Sequence, residues 1–227
     1  MKKTLRKAFL ATLPVMAGYI VLGFGFGIIL KSSGFGILLA IAMSTFIYAG
    51  SMQYVAIDLL TGGASLITTA LTTLMVNARH IFYGISMLEK YRSTGNIKPY
   101  LIFGLTDETY SLVCTDSLDV ADGQKKNYFL FVTLLNHSYW ITGSLIGAVI
   151  GSLITFNTAG IDFALTALFI SVFVEQWLNS KKHFAAIAGI LSSIISLIIF
   201  GADKFLIPSM LIIALILCLY KEDKNND

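Results

Sequence analysis

Charge is what this sequence has least of. Only 13% of its 227 residues are Asp, Glu, Lys or Arg, about half of the roughly 25% found in an ordinary soluble domain. With 56% apolar residues and a mean hydropathy of +0.78, that shortage excludes a soluble protein and leaves an integral membrane protein in the lipid bilayer. The net charge of +3 is small and sits mostly in short flanks, so no concentrated basic face exists for nucleic acid. Cysteine is scarce as well. Cys114 and Cys218 lie far apart in apolar sequence, as small buried hydrophobes do, and supply no disulfide or metal framework. No G-x-S-x-G, Walker A, H-E-x-x-H or C-x-x-C pattern occurs. His80, His137 and His183 fall in different segments. Neither an enzyme, a bound metal nor a cofactor is expected; an intramembrane hydrolase would need a reactive pair, and none proposes itself.

What is present is a series of apolar segments, at about 8–30, 35–60, 64–88, 99–115, 128–155, 161–178, 184–201 and 205–220. A spanning helix needs about 20 residues, with about 17 as a practical minimum. The expectation is an all-α integral membrane protein: one transmembrane domain over 1–227, a polytopic bundle of about seven or eight transmembrane helices, some short or glycine-broken. The start, Met1 to Lys7 followed by an apolar run, imitates a signal peptide, but the run continues to Leu30, beyond the roughly 7–15 residues of a signal core. It reads as a first membrane helix. The segments 99–115 and 205–220 are marginal, and 99–115 either spans or enters and turns back. If all eight cross from a cytoplasmic N-terminus, ten Lys and Arg lie inside and five outside, with Arg79 within a segment. If 99–115 fails to cross, the split reverses. The positive-inside rule prefers eight crossings, although Lys90, Arg92 and Lys98 then sit on the outer side.

Glycines punctuate the spans. Gly23, Gly25 and Gly27 lie in the first segment, where they permit close packing or local helix breaking. No predicted strand precedes them, so a nucleotide-binding reading is very weak. Gly143, Gly147 and Gly151 form a ridge of missing side chains that lets another helix, internal or from a partner, approach closely. A faint internal repeat lays Leu13 on Leu135 and Gly25 on Gly147 at a shift of about 122 residues. At a shift of 123, Phe46-Ile47 falls on Phe169-Ile170 and Gln53 on Gln176.

Two charged patches interrupt the apolar sequence, Asn77-Ala78-Arg79-His80 and Thr106-Asp107-Glu108-Thr109. Ionisable groups in hydrocarbon cost at least a few kcal/mol and usually line a pathway or pair with one another. On a regular helix Asn77 and His80 share a face while Arg79 lies about 200° from Asn77. One cavity can contact all three only if the helix is locally unwound; otherwise Arg79 must pair elsewhere, with Asp107 or Glu108 as the obvious partner. That pair is either a static clamp or part of a substrate or proton path. Adjacent carboxylates diverge on a helix, so one can meet Arg79 while the other faces an aqueous cavity, and Thr106 and Thr109 could satisfy leftover lone pairs. A third cluster, Tyr48-Ala49-Gly50-Ser51-Met52-Gln53, could open a helix and expose carbonyls to an ammonium group, or be a packing contact. Asp58 and Asp162 near segment ends, and Asn136-His137 in the fifth segment, are weaker candidates.

At these same residues the chain resembles the AzlC family, the large subunit of bacterial branched-chain amino acid exporters. The pieces that match are Pro14 with the Gly23–Gly27 stretch, Ala49 to Gln53, Asn77 to His80, Leu105 to Thr109, and the run Asp162 to Phe169. Asn136-His137, ahead of Trp140, departs from the pattern. The resemblance implies export of leucine, isoleucine or valine driven by the proton gradient, across a bacterial inner membrane. It also implies a small AzlD-like membrane partner subunit. Its functional residues would be Asn77, Arg79, His80, Asp107, Glu108, Gln53 and Ser51. Arg79 with Asn77 would hold the substrate carboxylate, and Asp107 or Glu108 the ammonium or the coupling proton. Phe82, Met75 and Phe103 would wall the side-chain pocket. Another cargo, a small organic acid or another amino acid, keeps the same fold. A non-transporting scaffold has little reason to carry Arg79, Asp107 and Glu108 in mid-membrane.

Overall fold

The structure, a computed structural model, describes residues 1–114, 120–153, 170, 173–174, 177–178, 183–201 and 205–219. These form α1 (Lys2–Ser32), α2 (Ile37–Phe46), α3 (Gly50–Thr61), α4 (Leu66–Val76), α5 (Ala78–Met87), α6 (Lys98–Phe103), α7 (Asp107–Val113), α8 (Lys125–Leu153), α9 (Phe184–Phe200) and α10 (Leu206–Leu219). Short 3-10 turns occupy Arg92–Ile97 and Asp122–Gln124, and no strand occurs among the described residues. Chain contacts divide into two compact units, Met1–Leu165 and Thr166–Asp227. In the second, α9 and α10 pack on each other and Trp177 stacks on His183 at 4.1 Å. The run Asp162 to Phe169, Gln176 and the side chain of Cys218 lie outside the described residues.

The spine of the first unit is the pair α1 and α8, the two helices among the described residues that are by themselves long and apolar enough to cross a bilayer, with mean hydropathies of 2.1 and 1.2 over their most apolar stretches. They lie side by side and run in the same direction. Thr4 bonds Gln124, Thr12 Oγ1 meets Tyr139 Oη at 3.3 Å, and Gly151 faces Ile28 and Lys31. Between these contacts the backbones touch. A methyl group on Gly147 would run into the Phe24 carbonyl and one on Gly27 into that of Ser144. At Gly143 it would sit 2.8 Å from the Ile20 carbonyl and at Gly23 2.9 Å from that of Trp140. Removing the side chains is what permits this approach. α1 stays helical through Gly23–Gly27, and Gly25 faces elsewhere, toward Tyr54 Oη at 2.9 Å.

Two apolar segments fold as hairpins. From the C-terminal end of α1, α2 leads to a turn at Ile47–Ala49, where Tyr48 takes φ +45, a backbone conformation rare for a bulky residue. α3 then climbs back. Gln53 Nε2 reaches Ser44 Oγ across the turn (3.3 Å) and Gln53 Oε1 accepts from Trp140 Nε1 (2.8 Å). One residue further, Tyr54 Oη donates to the Leu22 carbonyl at 2.6 Å and its ring meets Phe26. The sequence reading has 35–60 as a full span; apolar composition does not distinguish one span from two half-length arms. The segment 99–115 also turns back. Gly95 lies near Lys126, α6 rises to Gly104 beside Thr133, and α7 descends along α5, pairing Tyr83 with Tyr110 (4.6 Å) and Lys90 with the Cys114 carbonyl. Arms of 6 and 7 residues measure about 10 Å each, a third of a hydrocarbon layer of about 30 Å.

Between the hairpins, α4 and α5 form one bent rod running opposite to α1. Ser65 caps α4 by accepting from Thr68 N at 3.1 Å, and only Asn77 (φ −95, ψ 4) interrupts the helix. At the far end Met87 and Tyr91 join Ala8, Leu101, Leu105, Val113, Tyr128, Phe129 and Val132 in a buried core that seats the second hairpin. The outer face of the rod is bare hydrocarbon: Leu66 is 89% exposed, Ile67 74% and Phe82 71%. A water-soluble surface does not carry such a band; a lipid-facing one does.

Candidate functional site

The two hairpin turns and the bend of the α4–α5 rod meet. Tyr48 at the first turn is 6.2 Å from Phe103 at the second, and Arg79 ties all three elements. Its Nη1 donates to Asp107 Oδ2 and its Nη2 to Ser51 Oγ at 2.9 Å. Ser51 is the second residue of α3, Arg79 the second of α5 and Asp107 the first of α7. Three helix N-termini therefore converge on one point, bringing orphan N–H groups and positive partial charge. The C-termini of α2, α4 and α6 end at the same three breaks, so helix-end carbonyls gather there, those of Ser44 and Asn77 already meeting His137 and His80.

The chemistry at the junction is unsaturated. Asp107 Oδ1, Arg79 Nε and Asn77 Oδ1 are buried and lack a hydrogen-bond partner of good geometry. The Arg79 and Asp107 side chains keep 37% and 29% of their surface exposed, so the pair is half open. Such an arrangement can hold a small zwitterion. N–H groups and the guanidinium suit a carboxylate, while Asp107 and helix-end carbonyls suit an ammonium.

Of the residues singled out in the sequence, Ser51, Arg79 and Asp107 touch directly. Asn77 is the break between α4 and α5, and the helix is interrupted there as a shared cavity would require. His80 turns back on it, Nδ1 lying 3.2 Å from the Asn77 carbonyl. Glu108 points away from Arg79 to Tyr19, whose Oη donates to Oε2 at 2.6 Å. Gln53 is fully buried on another face, between Ser44 and Trp140. Thr106 and Thr109 do not serve the carboxylates. Thr106 caps α7 and contacts Tyr19 Oη at 2.6 Å and Thr109 Oγ1 at 3.1 Å. Phe103 is at the junction, whereas Phe82 faces outward. His137 bridges both hairpins, meeting Tyr100 Oη (3.1 Å) and the Ser44 carbonyl (3.2 Å). Tyr19, Tyr48 and Asn136 also belong to the site. Tyr48 was marked only as the start of the third polar cluster, Asn136 only as a weaker candidate, and nothing in the sequence marked Tyr19. Among the described residues no three His, Cys, Asp or Glu gather as metal ligands.

The family model for AzlC protein matches residues 14–154 of this chain. The branched-chain amino acid transport protein AzlC of Bacillus subtilis is 50% identical over 208 residues, 92% of this chain and 82% of the relative. An uncharacterized membrane protein of Helicobacter pylori is 39% identical over 221 residues, 97% and 96% of the two chains. The inner membrane protein YgaZ of Escherichia coli is 29% identical over 213 residues, 91% and 84%. No solved structure matches. One of these relatives is named for transport, two as membrane proteins, and none of the three as an enzyme.

Proposed function

The chain belongs to the AzlC protein family, and from that premise we propose that it is a secondary exporter of leucine, isoleucine and valine. The observation that carries this reading is Arg79 held between Ser51 and Asp107 at three converging helix N-termini. Discontinuous helices that aim their ends at a site between hairpins are what carriers use for zwitterionic substrates. In this proposal Arg79, Ser51 and Asn77 take the substrate carboxylate and Asp107 the ammonium. Gln53 fixes the first hairpin turn and His80 lines the bend. Protons drive export, Glu108 lies in the coupling path, and a small AzlD-like membrane subunit completes the transporter. Gly23, Gly27, Gly143, Gly147 and Gly151 hold the spine, and Gly25 makes room for Tyr54.

The two hairpins also support a specific topology for the first unit, within a single transmembrane domain of the inner membrane. α1, the α4–α5 rod and α8 cross; α2–α3 and α6–α7 dip in from opposite sides. Lys2, Lys3, Arg6, Lys7, Lys90, Arg92, Lys98, Lys125 and Lys126 then fall on one side and Lys31 alone on the other. With every segment crossing, Lys90, Arg92 and Lys98 would join Lys31. The positive-inside rule favours the hairpin topology and a cytoplasmic N-terminus.

Efflux of labelled leucine, isoleucine and valine from preloaded cells tests the function, with the small partner co-expressed. Arg79→Ala and Asp107→Asn are each expected to abolish efflux while still inserting in the membrane. Wild-type rates from either variant would remove that residue from the mechanism; no efflux of the three by the wild type would remove the substrate assignment.

A further inference from the structure

The adjacent carboxylates of α7 live in different surroundings. Asp107 is committed to Arg79, whose other terminal nitrogen is committed to Ser51. Glu108 faces α1 and has no cationic partner among the described residues. Its Oε2 accepts from Tyr19 Oη at 2.6 Å. Tyr19 Oη is 2.6 Å from Thr106 Oγ1, Thr106 Oγ1 is 3.1 Å from Thr109 Oγ1, and Asn136 Nδ2 donates to Thr109 Oγ1 at 3.0 Å. Tyr19, Thr106, Thr109 and Asn136 are all buried. A carboxylate on the half-open junction thus continues into a dry line of hydroxyls reaching α8.

We propose that Glu108 is the group that carries the coupling proton, with Tyr19 as its hydrogen-bond relay, while Asp107 remains the fixed counter-ion of Arg79. The assignment rests on the transport reading above. Placing a proton on Asp107 breaks an ion pair and leaves the Arg79 charge alone in the bundle. Placing one on Glu108 breaks no ion pair among the described residues. The step balances within the chain. Charged Glu108 accepts the Tyr19 hydrogen. When it takes one proton from water, the new carboxyl O–H donates to Tyr19 Oη, and Tyr19 turns its own hydrogen to Thr106 Oγ1. While Glu108 is charged, Thr106 donates to Tyr19 Oη; once Tyr19 turns its hydrogen to Thr106, Thr106 turns its own to Thr109 Oγ1. Release of that proton to water on the other side restores the first arrangement, and only O–H bonds have formed and broken. The titratable and charged groups around Glu108 are Tyr19 on α1, Tyr48 at the first turn, Arg79, His80 and Tyr83 on α5, and Asp107.

Inverted membrane vesicles carrying the full chain with its native partners allow the test, using labelled leucine. Two quantities are read: accumulation driven by an imposed acid-inside gradient, and exchange without a gradient across a range of pH. Glu108→Gln is expected to lose gradient-driven accumulation about tenfold or more, with residual exchange that no longer depends on pH. Glu108→Asp restores part of the gradient dependence, and Asp107→Asn loses both activities together. Gradient-driven accumulation by Glu108→Gln at the wild-type level, or a wild-type pH profile for its exchange, overturns the assignment. So does an equal loss of both activities in Glu108→Gln and Asp107→Asn, both shown to be inserted. If the wild type exchanges none of leucine, isoleucine and valine, the transport reading itself falls and the assignment falls with it.

Discussion

Arg79 does what a lysine in its place could not. Its two terminal nitrogens reach in different directions, one to Asp107 on the second hairpin and one to Ser51 on the first, and a planar fork holds both at once where an ammonium is a single point charge. Arg79→Lys is therefore expected to insert and fold yet weaken leucine exchange about tenfold or more, since the charge remains but one hairpin is released. Ser51→Ala removes one hydrogen bond to a charged group that is partly exposed; a loss of about 1 kcal/mol, roughly a fivefold rise in half-saturating leucine, is expected. The concentration dependence of exchange reads both, and a wild-type Arg79→Lys curve would mean that charge alone suffices. The Arg79–Asp107 contact was legible in the sequence, because two opposite charges in apolar sequence have few other partners. Ser51 was legible as polar but not as the arginine's second partner. Tyr19 and Asn136 were not legible as relay members, because their roles exist only where α1, α7 and α8 meet.

Elements differ in how much they tolerate at their contacts. Gly27 and Gly147 abut backbone of the facing helix, which cannot rotate away, whereas the neighbour of Gly25 is the tip of the Tyr54 side chain. Gly147→Ala and Gly27→Ala must each push α1 and α8 apart, a cost of about 1–3 kcal/mol by the usual range for overpacking. Gly25→Ala should cost less, since Tyr54 can shift at the expense of its bond to Leu22. Melting of the purified protein followed by Trp fluorescence, with Trp140 on α8 as a reporter, should rank Gly147→Ala and Gly27→Ala below Gly25→Ala; a reversed order would contradict the parallel spine. The glycine ridge could be read in the sequence, but its partner could not. The hairpins were harder. A run such as 35–60 satisfies the length and hydropathy of a span whether it is one helix or two arms. The Tyr48 turn was visible only as a cluster of small and polar residues.

For the molecule as a whole, the alternation of sides along the chain decides what the charges mean. α1 and α8 run in the same direction, so an odd number of crossings must separate them. Three full spans or one rod between two hairpins both satisfy that, and the proposed topology takes the second, which the contacts of Tyr54 with Leu22 and of α7 with α5 support. The two arrangements differ at two loops. In the hairpin topology, Ala64 between α3 and α4 lies on the same side as Lys31, and exposed Ser93 on the side of the N-terminus and Lys125. With three spans, both positions change sides. Replacing Cys114 and Cys218 by serine, then introducing Ala64→Cys or Ser93→Cys singly, lets a membrane-impermeant maleimide report the side in intact cells. Ala64→Cys is expected to label from outside, and Ser93→Cys only after the membrane is opened. The reverse pattern would return Lys90, Arg92 and Lys98 to the outer face and dismantle the hairpin topology. It would also part Arg79 from its two hairpins, because Ser51 and Asp107 sit together at its bend only when both segments turn back before crossing.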